Sequence, residues 1–319
     1  MTKGTGDMTD ILRIGTRASR LAMVQAQAVS AMITERYPRC TVEIVPVSTR
    51  GDREQSVPLH ALGVQGVFVK EIEEALFAGA IDLAVHSMKD LPFALPDGLL
   101  ITVVLPREDA RDALISRGGK TLRSLPRGAR IGTGAVRRTM QLHAMGRGFF
   151  VEPLRGNLDT RLRKLSTQDL DGVIVAAAGM KRMGWQDRIT EYIDEDLMLP
   201  MAGQGAIAIE TRMDDGGVRD MLACLNHEAT FQEVTAERSL LKGLGGGCHV
   251  PVAARAVVRE NGIEIRGMVG RIDGSDLIRE EIRGSATDGE ALGLRLAQRI
   301  LHAGGDSILE SMKTGNDPG

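Results

Sequence analysis

The sequence predicts an α/β protein of two similar lobes followed by a small α+β domain. Strand-like runs alternate with helical runs from residue 11 to about residue 182, the order expected of α/β domains with a mostly parallel sheet. The alternation occurs twice, before and after about residue 107, with too little identity between the halves to be a repeat. Past Pro251 the texture changes to three consecutive strand-like runs and one helix, which reads as α+β.

In the first lobe, residues 11–15 read as a strand, 21–37 as a helix and 41–47 as an alternating strand. Residues 48–66 form a loop rich in glycine and charge, and loops of this length are often lids. A helix over 67–77 places Phe68, Ile72 and Leu76 on one face, with Glu71, Glu73 and Glu74 off it. A strand at 81–85 runs straight into His86-Ser87-Met88-Lys89-Asp90-Leu91-Pro92, and another strand covers 99–105. The second lobe has a strand at 129–133, a turn at Gly134 and a helix at 135–145. A strand at 149–154, a turn at 155–157 and a helix at 158–165 follow, and a strand at 172–177 leads into Gly179-Met180-Lys181-Arg182.

A Gly/Pro connector at 199–205 precedes a strand at 206–212 and helices at about 218–226 and 228–241. The last part has strands at 253–259, 263–269 and 276–283, then a helix at 291–303 with Leu292, Leu294, Leu296 and Ile300 as its apolar positions. Residues 1–9 and the tail after about 312 read as unstructured.

Composition excludes several classes. A net charge of −2 provides no global field for nucleic acid, and 3% aromatic residues leave few platforms for stacking bases. Hydrophobic residues make up 43% of the 319, enough for two or three cores. Cys40, Cys224 and Cys248 are odd in number and show no CxxC spacing, so a disulfide framework is not expected and a reducing cytoplasm is. The first ten residues lack the apolar core of a signal peptide, and no later run is long enough to span a membrane. No His/Cys/Asp cluster has zinc spacing, no phosphate-binding GxxxxGK[ST] is present, and Ser19 and Ser87 have no readable base for a triad.

Cations gather where strands end. Arg17 follows the first strand and Lys89 the 81–85 strand, while Arg137 and Arg138 lie in the first turn of a helix. Arg155 and Arg161 bracket another helix start, and Lys181 and Arg182 follow the 172–177 strand. Ligands of open α/β sheets bind at strand carboxyl ends, helix N-termini attract anions, and arginine grips carboxylates with two parallel bonds. A cleft for a ligand with several anionic groups is therefore expected.

Asp90 is the one acid in this basic set, suited to stabilising a cation or moving a proton; the competing reading is a turn cap. His86 reads as structural. In Gly243-Leu244-Gly245-Gly246-Gly247-Cys248-His249-Val250-Pro251, four glycines and a proline shape a sharp loop that can hold a thiol out for covalent attachment; the competing reading is a glycine turn with an inert buried thiol.

These segments together resemble the porphobilinogen deaminase (hydroxymethylbilane synthase) family. The matching motifs are Leu12-Arg13-Ile14-Gly15-Thr16-Arg17, Thr49-Arg50-Gly51-Asp52, Phe68-Val69-Lys70-Glu71, Val85-His86-Ser87-Met88-Lys89-Asp90, Arg107-Glu108-Asp109, Arg137-Arg138, Leu154-Arg155-Gly156-Asn157, Gly203-Gln204-Gly205 and Gly246-Gly247-Cys248, in family order from about 11 to 312. The resemblance implies two periplasmic-binding-protein-like α/β domains around a cleft, 10–105 with 206–226 and 106–205, plus an α+β domain at 227–313 that carries the cofactor cysteine.

It further implies a dipyrromethane cofactor joined to Cys248 by a thioether. A cytoplasmic, monomeric transferase of porphyrin and heme biosynthesis would condense four porphobilinogen molecules on that primer, releasing ammonia at each step and finally hydroxymethylbilane. Carried over by motif, Asp90 is catalytic. Cys248, Lys89, Ser19, Arg137, Arg138, Arg161 and Gln204 would bind the cofactor, and Arg17, Arg155 and Arg182 the substrate. No metal, membrane or nucleic acid is implied.

The sequence departs from the family at two places. Gly134 and Ala135 stand where two serines are usual, and Ala61 and Gln65 where the 48–66 loop often carries lysines. Ala135 is expected to leave an anionic group to backbone N–H groups and to Arg137 and Arg138. The reading from another class is a non-catalytic two-lobed receptor for a polyanionic small molecule, which needs the arginines but neither Asp90 nor an exposed Cys248.

Overall fold

The computed structural model describes residues 11–53, 69–245 and 250–313. Expectations that fall on Ala61, Gln65, Phe68 and Cys248, and on the 48–66 loop past residue 53, lie outside the described residues. The first lobe opens with β1 (Ile11–Arg17), α1 (Arg20–Arg36), β2 (Thr41–Val47), α2 (Arg50–Arg53) and α3 (Lys70–Phe77). It continues with β3 (Leu83–Ser87), a 3-10 turn at Met88–Asp90 and β4 (Leu99–Val104).

The chain then crosses into β5 (Asp112–Ser116), β6 (Arg130–Thr133), α4 (Val136–Ala144), β7 (Phe150–Pro153), α5 (Leu158–Thr167), β8 (Gly172–Ala176), α6 (Ala177–Arg182) and β9 (Glu191–Tyr192). It returns with β10 (Ile207–Arg212) and α7 (Gly216–Leu222). The remainder is α8 (Glu228–Gly243), β11 (Val252–Arg259), β12 (Gly262–Gly270), β13 (Leu277–Gly284), α9 (Gly289–Ile300) and α10 (Asp306–Lys313).

The lobes share one topology. Their five-stranded sheets run β2-β1-β3-β10-β4 and β7-β6-β8-β5-β9. Neighbours β2, β1 and β3, and likewise β7, β6 and β8, pair in parallel. The expectation of a mostly parallel sheet needs one amendment per lobe: β10 lies antiparallel to both β3 and β4, and β5 antiparallel to both β8 and β9. Each reversed strand is the one with which the chain enters from the other lobe, so its direction is set by the crossing.

Local chemistry explains the element ends that shape the cleft. Ser19 caps α1, its Oγ accepting from the Ala22 N–H at 3.4 Å. Helix α1 stops at Tyr37, the residue before Pro38, where the α conformation is disfavoured. In the 199–205 connector, Gly203 and Gly205 have φ of 72° and 89°. A side chain on Gly203 would meet Met88 Cγ at 2.5 Å, and one on Gly205 the Glu108 carbonyl oxygen at 2.3 Å. The two inter-lobe crossings can touch only because these residues are glycine.

Several expectations change. Strand β5 was not foreseen, and Lys181 and Arg182, which lie past the 172–176 strand as expected, close the short helix α6. Glu73, expected off the apolar face of its helix, is buried, whereas Leu294, expected on the apolar face of α9, is exposed. The helix expected over 218–226 ends at Leu222, and Cys224 sits exposed in a 3-10 turn at Ala223–Leu225. The last helix breaks at Gly304 (φ 106°) before α10.

The third domain packs α8 and α9 on the β11-β12-β13 sheet around Leu240, Ile265, Leu296 and Ile300. It meets both lobes at one carboxylate. Glu237 on α8, fully buried, accepts from Arg107 Nη1 and Nη2 at 2.7 and 3.0 Å, from the Gly203 N–H at 2.6 Å and from the Ala256 N–H at 2.8 Å. Arg255 extends the network to Glu233 and to Glu195. Stripped of these partners, such a buried charge would cost several kcal/mol. At the other side of the lobes, Arg20 on α1 reaches Asp159 on α5 at 3.4 Å and lies 5.3 Å from the ring centre of Trp185, which Arg188 also approaches to 5.3 Å.

Candidate active site

The strand ends of both lobes face each other across a cleft, and the predicted residues divide into three groups there. The first group meets at the 3-10 turn after β3. Arg17, the last residue of β1, pairs with Asp90 at 3.6 Å. Ser19, Ser87 and His86 line the same small cavity of about 50 Å³ with these two. Ser87 and Gln25 exchange hydrogen bonds at 2.9 and 3.1 Å. A larger, open concavity on the third domain lies between Glu280, Arg295 and His302, away from these residues.

Lys89 points into the charges of both lobes. Desolvation lowers its pKa to about 8, with Arg138 and Arg161 pushing the same way against Asp90 and Asp112, although the residue keeps partial solvent contact. Arg161 is also lowered, to about 10, by desolvation first and then by Arg138, Arg155 and Arg17, while Asp90 opposes. Burial lowers Arg155. Asp90 thus acts on Arg17, Lys89 and Arg161, and Arg138 and Arg155 join the same field through Arg161.

The second group is held from behind by a residue that the sequence reading missed. Asp112, at the start of β5, is fully buried and binds three predicted residues at once. Arg137 Nη1 donates to it at 2.8 Å, Arg138 Nη2 at 2.7 Å and Gln204 Nε2 at 2.9 Å. The two arginines hold its carboxyl well below the usual carboxylate range despite burial. Gln204 is itself buried, with its amide also donated to the Ala110 carbonyl, so it acts on the cleft through Asp112.

Two arginines in the first turn of α4 oppose the helix dipole. One carboxylate between them leaves a net positive charge at a helix start whose N-cap, Ala135, makes no side-chain hydrogen bond. Arg137 Nε is buried with no hydrogen-bond partner among the described residues. These features fit a group bearing several carboxylates.

Arg182 stands apart in the third group. It donates to the Gly205 carbonyl at 2.6 Å beside the Lys181–Glu108 pair at 2.5 Å, and burial lowers it to about 10. It belongs to the hinge more than to the Asp90 cluster. Gly134 is also constrained: a Cβ there would lie 2.2 Å from the Leu154 carbonyl oxygen, so the usual serine does not fit this backbone. His86, buried, bonds Glu210 at 2.9 Å, consistent with its structural reading. Among the described residues, no group of three or more His, Cys, Asp or Glu could hold a metal, and no helix is long and apolar enough to cross a membrane.

Fold and site define a two-lobed α/β protein with a cationic cleft focused on one carboxylate. Profiles described as "Porphobilinogen deaminase, dipyromethane cofactor binding domain" and "Porphobilinogen deaminase, C-terminal domain" match residues 12–220 and 231–302. The porphobilinogen deaminase of Syntrophus aciditrophicus is 50% identical over 304 residues, covering 95% of this chain and 99% of that protein. Those of Syntrophotalea carbinolica (47%, 94% of this chain, 96% of that protein) and Geobacter sulfurreducens (48%, 93% of each) are similar to the same extent. The periplasmic aliphatic sulphonate binding protein SsuA from Escherichia coli is similar at 14% identity and a TM-score of 0.42, over 92% of this chain and 87% of that one, a likeness too loose to carry an argument.

The chain belongs to the porphobilinogen deaminase family. It is an enzyme of tetrapyrrole biosynthesis that works with a dipyrromethane cofactor.

Proposed function

We propose that this chain is a transferase that condenses four porphobilinogen molecules one at a time, releasing ammonia at each step and finally hydroxymethylbilane. The observation that carries the proposal is Asp90, paired with Arg17 at 3.6 Å in the field of Lys89, Arg138 and Arg161. Loss of ammonia from porphobilinogen leaves an electron-poor methylene group. The Asp90 carboxylate, at the mouth of the cleft beside Arg17, is placed to stabilise that positive charge.

The cofactor, when bound, supplies the nucleophilic pyrrole carbon, with Cys248 as its point of attachment. Its acetate and propionate groups match Lys89, Arg137, Arg138 and Arg161, with Ser19 at the cap of α1. Arg17, Arg155 and Arg182 take the incoming substrate, Arg182 from the hinge side. Asp112 and Gln204 orient Arg137 and Arg138. We also propose domains at 10–105 with 206–226, 106–205 and 227–313, and a cytoplasmic monomer; the two equivalent sheets, one in each lobe, support the domain division.

The test has two parts. Intact mass should exceed that of the sequence by two condensed porphobilinogen units, mapped to Cys248 and not to Cys40 or the exposed Cys224. Asp90→Asn, which keeps size and removes charge, should lower kcat by on the order of 10²-fold. An unmodified active protein, or near-normal turnover of the variant, would refute the respective part.

A further inference from the structure

Helix α8 leads into the cysteine loop, and one of its side chains grips the turn that carries Asp90. Arg238 Nη2 donates to the Pro92 carbonyl at 2.6 Å and to the Phe93 carbonyl at 3.1 Å. Its Nη1 lies 3.5 Å from the Leu91 carbonyl and 4.0 Å from Met88 Sδ. The contacts bracket Lys89 and Asp90 on both sides. Residues 91–93 belong to no sheet, so no strand neighbour serves their carbonyls, and Arg238 supplies the donors.

From the opposite side the turn is backed by the connector, where Gly203 comes close to Met88 and to the Lys89 amide. Burial lowers the pKa of Arg238 to about 10, with the Glu210 charge opposing, so the guanidinium stays charged at neutral pH. The last residue of α8 is Gly243, five positions before Cys248.

We propose that Arg238 is a positioning residue that sets the Asp90 carboxylate relative to the cofactor-bearing domain. This rests on the roles given above to Asp90 and Cys248. A rigid fork spanning consecutive carbonyls transmits the position of α8 to the turn, which a single ammonium on a flexible stem cannot do. Glu237, one residue earlier on α8, is anchored to the inter-lobe crossings, so the grip of Arg238 is referenced to the junction of all three domains.

The experiment uses cofactor-loaded protein with Arg238→Lys and Arg238→Gln, each alone and combined with Asp90→Asn. Arg238→Lys keeps the charge beside Glu210 and should fold with its cofactor mass intact, yet lose tenfold or more in kcat with KM within twofold. In the Asp90→Asn background the same change should alter kcat by less than twofold, since coupled residues are not additive. A kcat within twofold of the parent in both single variants, even with a lowered Tm, overturns the proposal. So does a tenfold loss repeated in full on top of Asp90→Asn. Near-normal turnover of Asp90→Asn alone overturns the role of Asp90 and the proposal with it. A collapsed Asp90→Asn beside an unaltered Arg238→Lys overturns only the proposal.

Discussion

Replacing Glu73 by glutamine should stabilise the protein at alkaline pH and much less at acid pH. Glu73 on α3 is 8% exposed, and its Oε1 has no hydrogen-bond partner among the described residues. Burial first, then the charge of Glu210, pushes its carboxyl from an ordinary 4.5 up to about 7, with His86 opposing and Glu74 adding slightly. The folded state therefore binds this proton more tightly than the unfolded chain. Its stabilising effect is complete below the unfolded value and is lost as pH rises towards and through the folded one.

A tenfold difference in proton affinity corresponds to about 1.4 kcal/mol. Between pH 5 and pH 8.5, values of 4.5 and about 7 give a loss of at most about 2.5 kcal/mol for the wild-type protein. Glutamine keeps the shape and never ionises. Urea unfolding of both proteins at the two pH values should show the advantage of Glu73→Gln growing by about 2 kcal/mol at pH 8.5. An advantage that does not change with pH would mean that Glu73 ionises as freely in the folded protein as in the unfolded one, and would refute the reasoning.

Two further predictions concern the cleft. Because Lys89 is lowered to about 8, affinity for an anionic substrate should weaken as pH rises through that value, by at most about tenfold for each pH unit, and Lys89→Met should flatten the KM profile. The two departures from the usual serines should behave oppositely: Gly134→Ser drives a Cβ onto the Leu154 carbonyl and should cost about 1–3 kcal/mol, whereas Ala135→Ser supplies the missing N-cap of α4 and should add about 1 kcal/mol, both read by urea unfolding.

The two-lobed α/β plan could be read because its signals are local. The alternation of β1, α1 and β2 is set within a few residues, and so are the structure's cap at Ser19 and stop before Pro38. The reversed strands were not legible, since the direction of β10 is set by where the chain re-enters the lobe, not by its own side chains. Asp112 was missed for a related reason. It ends the charged run Arg107-Glu108-Asp109-Ala110-Arg111-Asp112, which looks like a solvated loop until β5 pairs with β8 and carries it inside. The arginines were found by position, but the order among them needed Asp112: Arg137 and Arg138 are anchored, Arg161 and Lys89 face the cleft, and Arg182 serves the hinge. Glu73 sits beside Ile72 on a helix that packs on β1, β3 and β10, so its buried arc is wider than a single apolar stripe predicts.

Trp185 is the only tryptophan in the chain, and a cation from each lobe lies 5.3 Å from its ring, Arg20 from one side of the cleft and Arg188 from its own. The protein therefore carries a native optical gauge. Indole emission responds to a nearby guanidinium, so any widening of the gap that withdraws Arg20 while leaving Arg188 in place alters one of two reporters and not the other. Spectra taken after each successive addition would trace the separation of the lobes as the product lengthens, without a label and without altering a residue.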